Sequence, residues 1–116
     1  MGIISDSSKG NFISISDHGT MKISENHSGS ILADLSPNDA KYSLKNLLNL
    51  DKRRAFIVSD ANGSIYIYKN NDQAVPVLEK TLKVSSGSSV RGLAVSVYQN
   101  MFVAGAVDGS IQIFDL

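Results

Sequence analysis

Apolar residues alternate with polar or small ones in three short stretches: Met21 and Ile23, Ile65 and Ile67, and Ile111 and Ile113 each stand two positions apart. A period of two turns one face of a strand toward a core and the other away from it. Ahead of each stretch lies a second run rich in apolar or small residues, Asn11–Ser16, Ala55–Ser59 and Met101–Ala106. The two runs are joined through His18-Gly19, Asn62-Gly63 and Asp108-Gly109, residue pairs that reach positive φ at little cost and favour a tight hairpin. The pattern predicts three β-hairpins.

The hairpins are copies of one another. With Phe12, Phe56 and Phe102 in one column, the twelve residues from each Phe align without a gap, at spacings of 44 and 46 residues. Strand-built repeats of about 40–50 residues point to propeller blades, because one four-stranded unit cannot bury both faces alone and must stack on its neighbours. On that reading the three aligned phenylalanines are buried between blades.

The weaker segments keep the same order. Ser88–Val95 and Leu44–Asn49 read as inner strands, Ser30–Leu35 and Val75–Val84 as outer strands, and the count back from Phe12 places Met1 level with Arg91. The expected architecture is all-β, with blades of four antiparallel strands in a single domain over residues 1–116. Blade 1 spans about 1–35, blade 2 about 42–84 and blade 3 about 88–116, the last lacking its outer strand. A closed propeller needs about four to eight blades. Three leave two open flanks, so the sequence predicts either part of a larger propeller or a homodimer in which two copies close one six-bladed ring. An isolated monomer is expected to be unstable or sticky.

At Val90–Leu116 the chain resembles the WD40 family: Val-Arg-Gly-Leu-Ala-Val-Ser is followed by Val-Ala-Gly-Ala-Val-Asp-Gly-Ser-Ile-Gln-Ile-Phe-Asp, with Phe114-Asp115 where the family usually closes on Trp-Asp. The other copies carry Ser24-Glu25 and Tyr68-Lys69 there, and the chain has no Trp. In the family a turn Asp joins a His, a Ser or Thr and the Trp in a hydrogen-bonded tetrad. Asp108 matches that Asp, Asn62 and His18 replace it in the other copies, and Ser86 stands where the third repeat's His belongs. The resemblance implies a non-catalytic scaffold for other proteins, using the hairpin turns and the loops ahead of the inner strands, including Ser86 and Arg91.

Charge narrows the partners. The 11 basic and 11 acidic residues cancel, which argues against a nucleic-acid partner. The absence of cysteine removes disulfides and thiolate metal sites and favours a cytoplasmic or otherwise intracellular setting. No apolar run is as long as a membrane span or a signal-peptide core. Asn26-His27-Ser28 and Asn62-Gly63-Ser64 fit the glycosylation pattern without a secretory signal to accompany it.

Catalytic and ligand-holding patterns are missing. Two histidines, His18 and His27, with Asp6, Asp17 and Glu25 nearby in sequence, show no metal-ligand spacing. The serine clusters Ser5–Ser8 and Ser85–Ser89 contain no nucleophile elbow, and the Gly-Ser pairs open strands and not helices, so they are not phosphate cradles. No enzyme activity, cofactor or metal is expected. The basic run Lys52, Arg53 and Arg54 offers an alternative: a module on a membrane surface that meets phosphoinositide headgroups, loosely similar to the endosomal propellers that accompany FYVE domains.

Overall fold

The computed structural model describes residues 2–6, 11–25, 28–37, 41–70 and 75–116, with residues 2–6 and Asp51 described for the backbone alone. Met1 and His27, both named above, lie outside the described residues.

Among the described residues, eleven strands form three antiparallel sheets. The first holds β1 (Gly2–Asp6), β2 (Asn11–Ile15), β3 (Met21–Ser24) and β4 (Ile31–Asp34) in chain order. The second holds β5 (Leu44–Leu50), β6 (Ala55–Asp60), β7 (Ser64–Lys69) and β8 (Val77–Lys83), with a 3-10 turn at Asp51–Arg53 between β5 and β6. The third has three strands, β9 (Val90–Val95), β10 (Met101–Ala106) and β11 (Ile111–Asp115).

Registers repeat from sheet to sheet. Phe12 lies opposite Ser24, Phe56 opposite Tyr68 and Phe102 opposite Phe114. Alternation then gives every sheet two unlike faces. One carries the aliphatic positions: Ile13, Ile15, Met21 and Ile23 in the first sheet, Ile57, Ile65 and Ile67 in the second. The other carries the aromatic column: Phe56, Val58, Tyr66 and Tyr68 in the second sheet, Phe102, Ala104 and Phe114 in the third.

The aliphatic face of each sheet packs on the aromatic face of the next. One core joins Ile13, Ile15, Met21 and Ile23 to Phe56, Val58, Tyr66 and Tyr68. A second joins Ile57, Ile65 and Ile67 to Val90, Phe102 and Ala104, with Phe114 against it. Phe56 and Phe102 are accordingly 0% and 1% exposed. Phe12 departs from the expectation at 39% exposed. Its face turns away from the second sheet, and Ser24 opposite supplies no ring to cover it.

Candidate interaction surface

The antiparallel order puts two sets of loops at opposite ends of the sheets. One end gathers the three hairpin turns with the connections that lead to β5 and β9. The other gathers the β5–β6 and β9–β10 loops. His18, Gly19, Asn62, Gly63, Asp108, Gly109 and Ser86 lie at the first end, with Arg91 at the adjoining start of β9; Lys52, Arg53 and Arg54 lie at the second. The structure thus separates the candidate partner-binding residues into two groups.

Each hairpin has a three-residue loop. The glycine N–H donates to the carbonyl three residues back, Gly19 to Ser16, Gly63 to Asp60 and Gly109 to Ala106, at 3.2, 3.3 and 3.0 Å. Of each pair singled out in the sequence, only the glycine has positive φ, at 83°, 79° and 89°. A β-turn closed by one left-handed residue suits such a loop, whereas a two-residue type I′ loop would need both residues left-handed.

Two of the turns are held by side chains that the sequence did not single out, Asp60 and Ser16, and the third by Asp108. Asp60, buried at 1% exposure, accepts from Asn62 N and Ser64 N, both at 2.9 Å, through one carboxylate oxygen, and from the Tyr66 hydroxyl at 2.9 Å through the other. Ser16 occupies the equivalent place, and its Oγ accepts from His18 N at 3.2 Å and Thr20 N at 3.3 Å. Ala106 has no such acceptor, and Asp108 takes over from within the turn: its Oδ1 accepts from Ser110 N at 3.0 Å and Ser110 Oγ at 2.6 Å. Those two bonds pull the Asp108 carboxyl down to about 2. Burial and the bond to Asp60 push the Tyr66 phenol up to about 12. The sequence signal for Asp60 was an acid two places before an Asn-Gly pair, a spacing suited to binding the turn's amides.

Connecting loops lock onto these turns. Ser43 Oγ donates to Asp17 O, Ala61 N donates to Ser43 O at 2.8 Å, and Val107 N donates to Ser89 O at 3.0 Å. Ser86 Oγ sits 3.4 Å from Ser110 Oγ, at the edge of the Asp108 cluster. Arg91 is exposed on a β-bulge opposite Gly105 and Ala106, and Lys45, which the sequence reading missed, occupies the matching bulge in the second sheet. A bulge re-aims the side chain it carries.

At the far end the basic run serves a neighbour. Lys52 N donates to Gln99 Oε1 and Lys52 Nζ to Val97 O, both at 2.9 Å; Arg53 donates to Gln99 O and, at 3.5 Å, to Leu116 O. Gln99 is buried at 7% exposure with φ of 56°, so the β9–β10 loop is pinned in a conformation uncommon for a residue with a side chain. Val97 and Tyr98 project from the same loop into solvent. Among the described residues, no three His, Asp or Glu side chains converge to hold a metal ion, and no helix is long and apolar enough to cross a membrane.

Three meandering sheets, with the aliphatic faces of the first and the second each packed on the aromatic face of the sheet that follows, have the fold of successive β-propeller blades. Solved structures carry the same arrangement. The C-terminal WD40 domain of Sif2 superposes with a TM-score of 0.82 at 12% identity, over 99% of this chain and 33% of that one. The β-propeller domain of Myceliophteria thermophila Cps50 (Swd1) superposes at 0.79 and 13% identity, over 97% of this chain and 42% of that one. The chain therefore spans less than half the length of either of those chains. No family model matches its sequence, and no curated protein does.

Proposed function

We propose that this chain is a non-catalytic, intracellular protein-interaction scaffold, part of a larger propeller, whose binding surface is the end that gathers the hairpin turns. The observation that carries the reading is the bonding of turns to neighbouring loops at that end. The connection into β5 bonds the first and second turns through Ser43, to Asp17 O and from Ala61 N, and the connection into β9 bonds the second and third turns, Val84 N donating to Gly63 O and Val107 N to Ser89 O, so side chains on separate sheets keep fixed relative positions. A rigid scaffold that positions loops is what recognition needs, since little ordering entropy remains to be lost on binding. His18, Asp108, Ser86 and Arg91 are exposed there and Asn62 is half-buried. The zero net charge and the mixed signs on this end favour a protein over a nucleic acid as partner.

The phosphoinositide alternative asks the basic run to offer its donors to headgroups. Lys52 and Arg53 instead direct donors to Val97, Gln99 and Leu116 within the protein, which favours the scaffold reading.

The test compares two double variants of the chain as bait: Arg91→Glu with Asp108→Lys on the hairpin end, and Val97→Ser with Tyr98→Ser on the other. Proteins bound by the native chain should be lost with the first and retained with the second. The reverse result would move the surface to the β9–β10 loop. Binding of phosphoinositide vesicles, abolished by Lys52→Glu, would restore the membrane alternative.

A further inference from the structure

We infer that Asn62 is a latent site of non-enzymatic deamidation, held in check by the bonds that Asp60 makes to the turn around it. The site is independent of which end of the sheets binds a partner.

Asn62 is the only asparagine of the chain that is followed by glycine. In such a pair the backbone nitrogen of the glycine reaches the side chain before it, because no Cβ hinders the approach and the glycine adopts conformations closed to other residues. Gly63 N bonds to Cγ of the Asn62 carboxamide, and its proton goes to the amide nitrogen, which departs as ammonia. Water then opens the cyclic imide and returns a proton to Gly63 N. Cleavage between Gly63 N and Cγ leaves aspartate at position 62. Cleavage between Gly63 N and the main-chain carbonyl carbon leaves isoaspartate, with the chain running through Cβ and Cγ. Either route consumes one water and releases one ammonia.

Asn62 is half-buried, so water has access to it, and what the fold withholds is the nucleophile. Four consecutive amides of the turn are engaged: Ala61 N donates to Ser43 O at 2.8 Å, Asn62 N and Ser64 N to Asp60 Oδ1, both at 2.9 Å, and Gly63 N to Asp60 O at 3.3 Å. Three of the four end on Asp60, whose carboxylate is fixed in turn by the Tyr66 hydroxyl. The Gly63 carbonyl accepts from Val84 N at 3.0 Å, and a Cβ built on Gly63 would lie 2.7 Å from Ser88 O and 2.9 Å from Val84 Cγ2. Bringing Gly63 N onto Cγ therefore means rotating a residue that is bonded through both its N–H and its carbonyl and packed against the connection into β9. Attack waits for the turn to open, and its rate follows the population of the opened form.

The third turn is not labile in the same way. Asp108-Gly109 closes the imide only from the protonated acid, and the bonds from Ser110 keep that carboxyl ionised. At the second turn the product weakens the bonding that delayed it. A carboxylate at position 62 stands two residues from the carboxylate of Asp60, and like charges that close oppose each other. Isoaspartate lengthens the main chain inside a three-residue loop, so Asp60 no longer meets the amides on both sides of position 62.

The test ages the full chain at mildly alkaline pH, folded in buffer and unfolded in urea. Peptide mapping by mass spectrometry reads position 62, and circular dichroism checks the state of each sample. The folded chain should convert at least about tenfold more slowly than the unfolded one, as expected when reaction requires local opening. Folded Asp60→Ala should lose most of that protection; if it does not fold, Asp60→Asn, which keeps one acceptor oxygen, should lose part of it. Ile57→Val, which loosens the core without touching the turn, should stay within about twofold of the native rate. No conversion at position 62 in urea would overturn the site. Equal rates in the folded and unfolded chains would overturn the protection. Acceleration by Ile57→Val equal to that of the Asp60 variant would assign protection to the fold as a whole and overturn the role of Asp60.

Discussion

Tyr68 stacks on Phe56 within its own sheet, the planes only 3° apart, and its hydroxyl crosses to the preceding sheet to donate to Leu35 O at 3.0 Å. One side chain thus closes the cross-strand pair at the Trp position of the repeat and also bolts two blades together. Aromatic stacking and burial supply the apolar part of this joint, and the hydroxyl satisfies a carbonyl that the end of β4 leaves free.

Truncating the rings should separate the buried columns from the open one. Phe56→Ala is expected to cost about 3–5 kcal/mol, because it leaves a void in the core between the first and second sheets. Phe12→Ala should cost under about 1.5 kcal/mol, since its ring is partly exposed and has no stacking partner. Urea denaturation midpoints of the two variants measure the difference, and equal losses would contradict the assignment of faces.

Gly63 and Gly109 share a left-handed conformation but not a neighbourhood. Gly63→Ala meets both the positive φ and the backbone of Ser88, for an expected loss of about 2 kcal/mol or more; Gly109→Ala meets only the strained φ, for about 1 kcal/mol. Thermal melts of the pair test the ranking.

Asp60 should be the least replaceable polar residue of the second sheet. Asp60→Ala leaves two part-buried turn amides and the buried Tyr66 hydroxyl without their acceptor, with an expected loss of about 3 kcal/mol. Asp60→Asn keeps one acceptor oxygen for the amides and should recover about half. Tyr66→Phe removes one of the three bonds and should cost about 1 kcal/mol. Amide exchange at Asn62 and Ser64 would report the turn directly, and unchanged exchange in Asp60→Ala would refute the role.

Alkaline pH should unfold the protein through its buried tyrosines. Burial chiefly, aided by Asp60 for Tyr66, raises both Tyr66 and Tyr68 to about 12 from an ordinary 10.0. The folded protein keeps protons that the unfolded chain releases, so this contribution is whole below pH 10 and is lost as pH rises through 12. Phenolate absorbance should show two of the four tyrosines titrating only as the fold opens. Tyr66→Phe with Tyr68→Phe should flatten the decline in stability over that window.

The repeat, the strand order and the three turns were legible in the chain itself, because a two-residue alternation and a glycine before each third strand are local signals that need no partner to be read. The aligned Phe12, Phe56 and Phe102 show where that legibility ended. Identical in sequence, they differ in burial because burial depends on which sheet lies against which face. Tertiary structure also decided the roles of the polar residues. Asp60 has no marked role in the sequence and gains one only where Tyr66 and the turn amides close on it. Lys52 and Arg53 read as a free basic run until the β9–β10 loop, more than forty residues away in sequence, arrived to accept their bonds. Hydrogen-bond partners of long sequence separation leave no local pattern, and the same holds for the two flanks. Each is made of ordinary strand residues, and only the stacking of the sheets shows one flank to be aliphatic and the other polar.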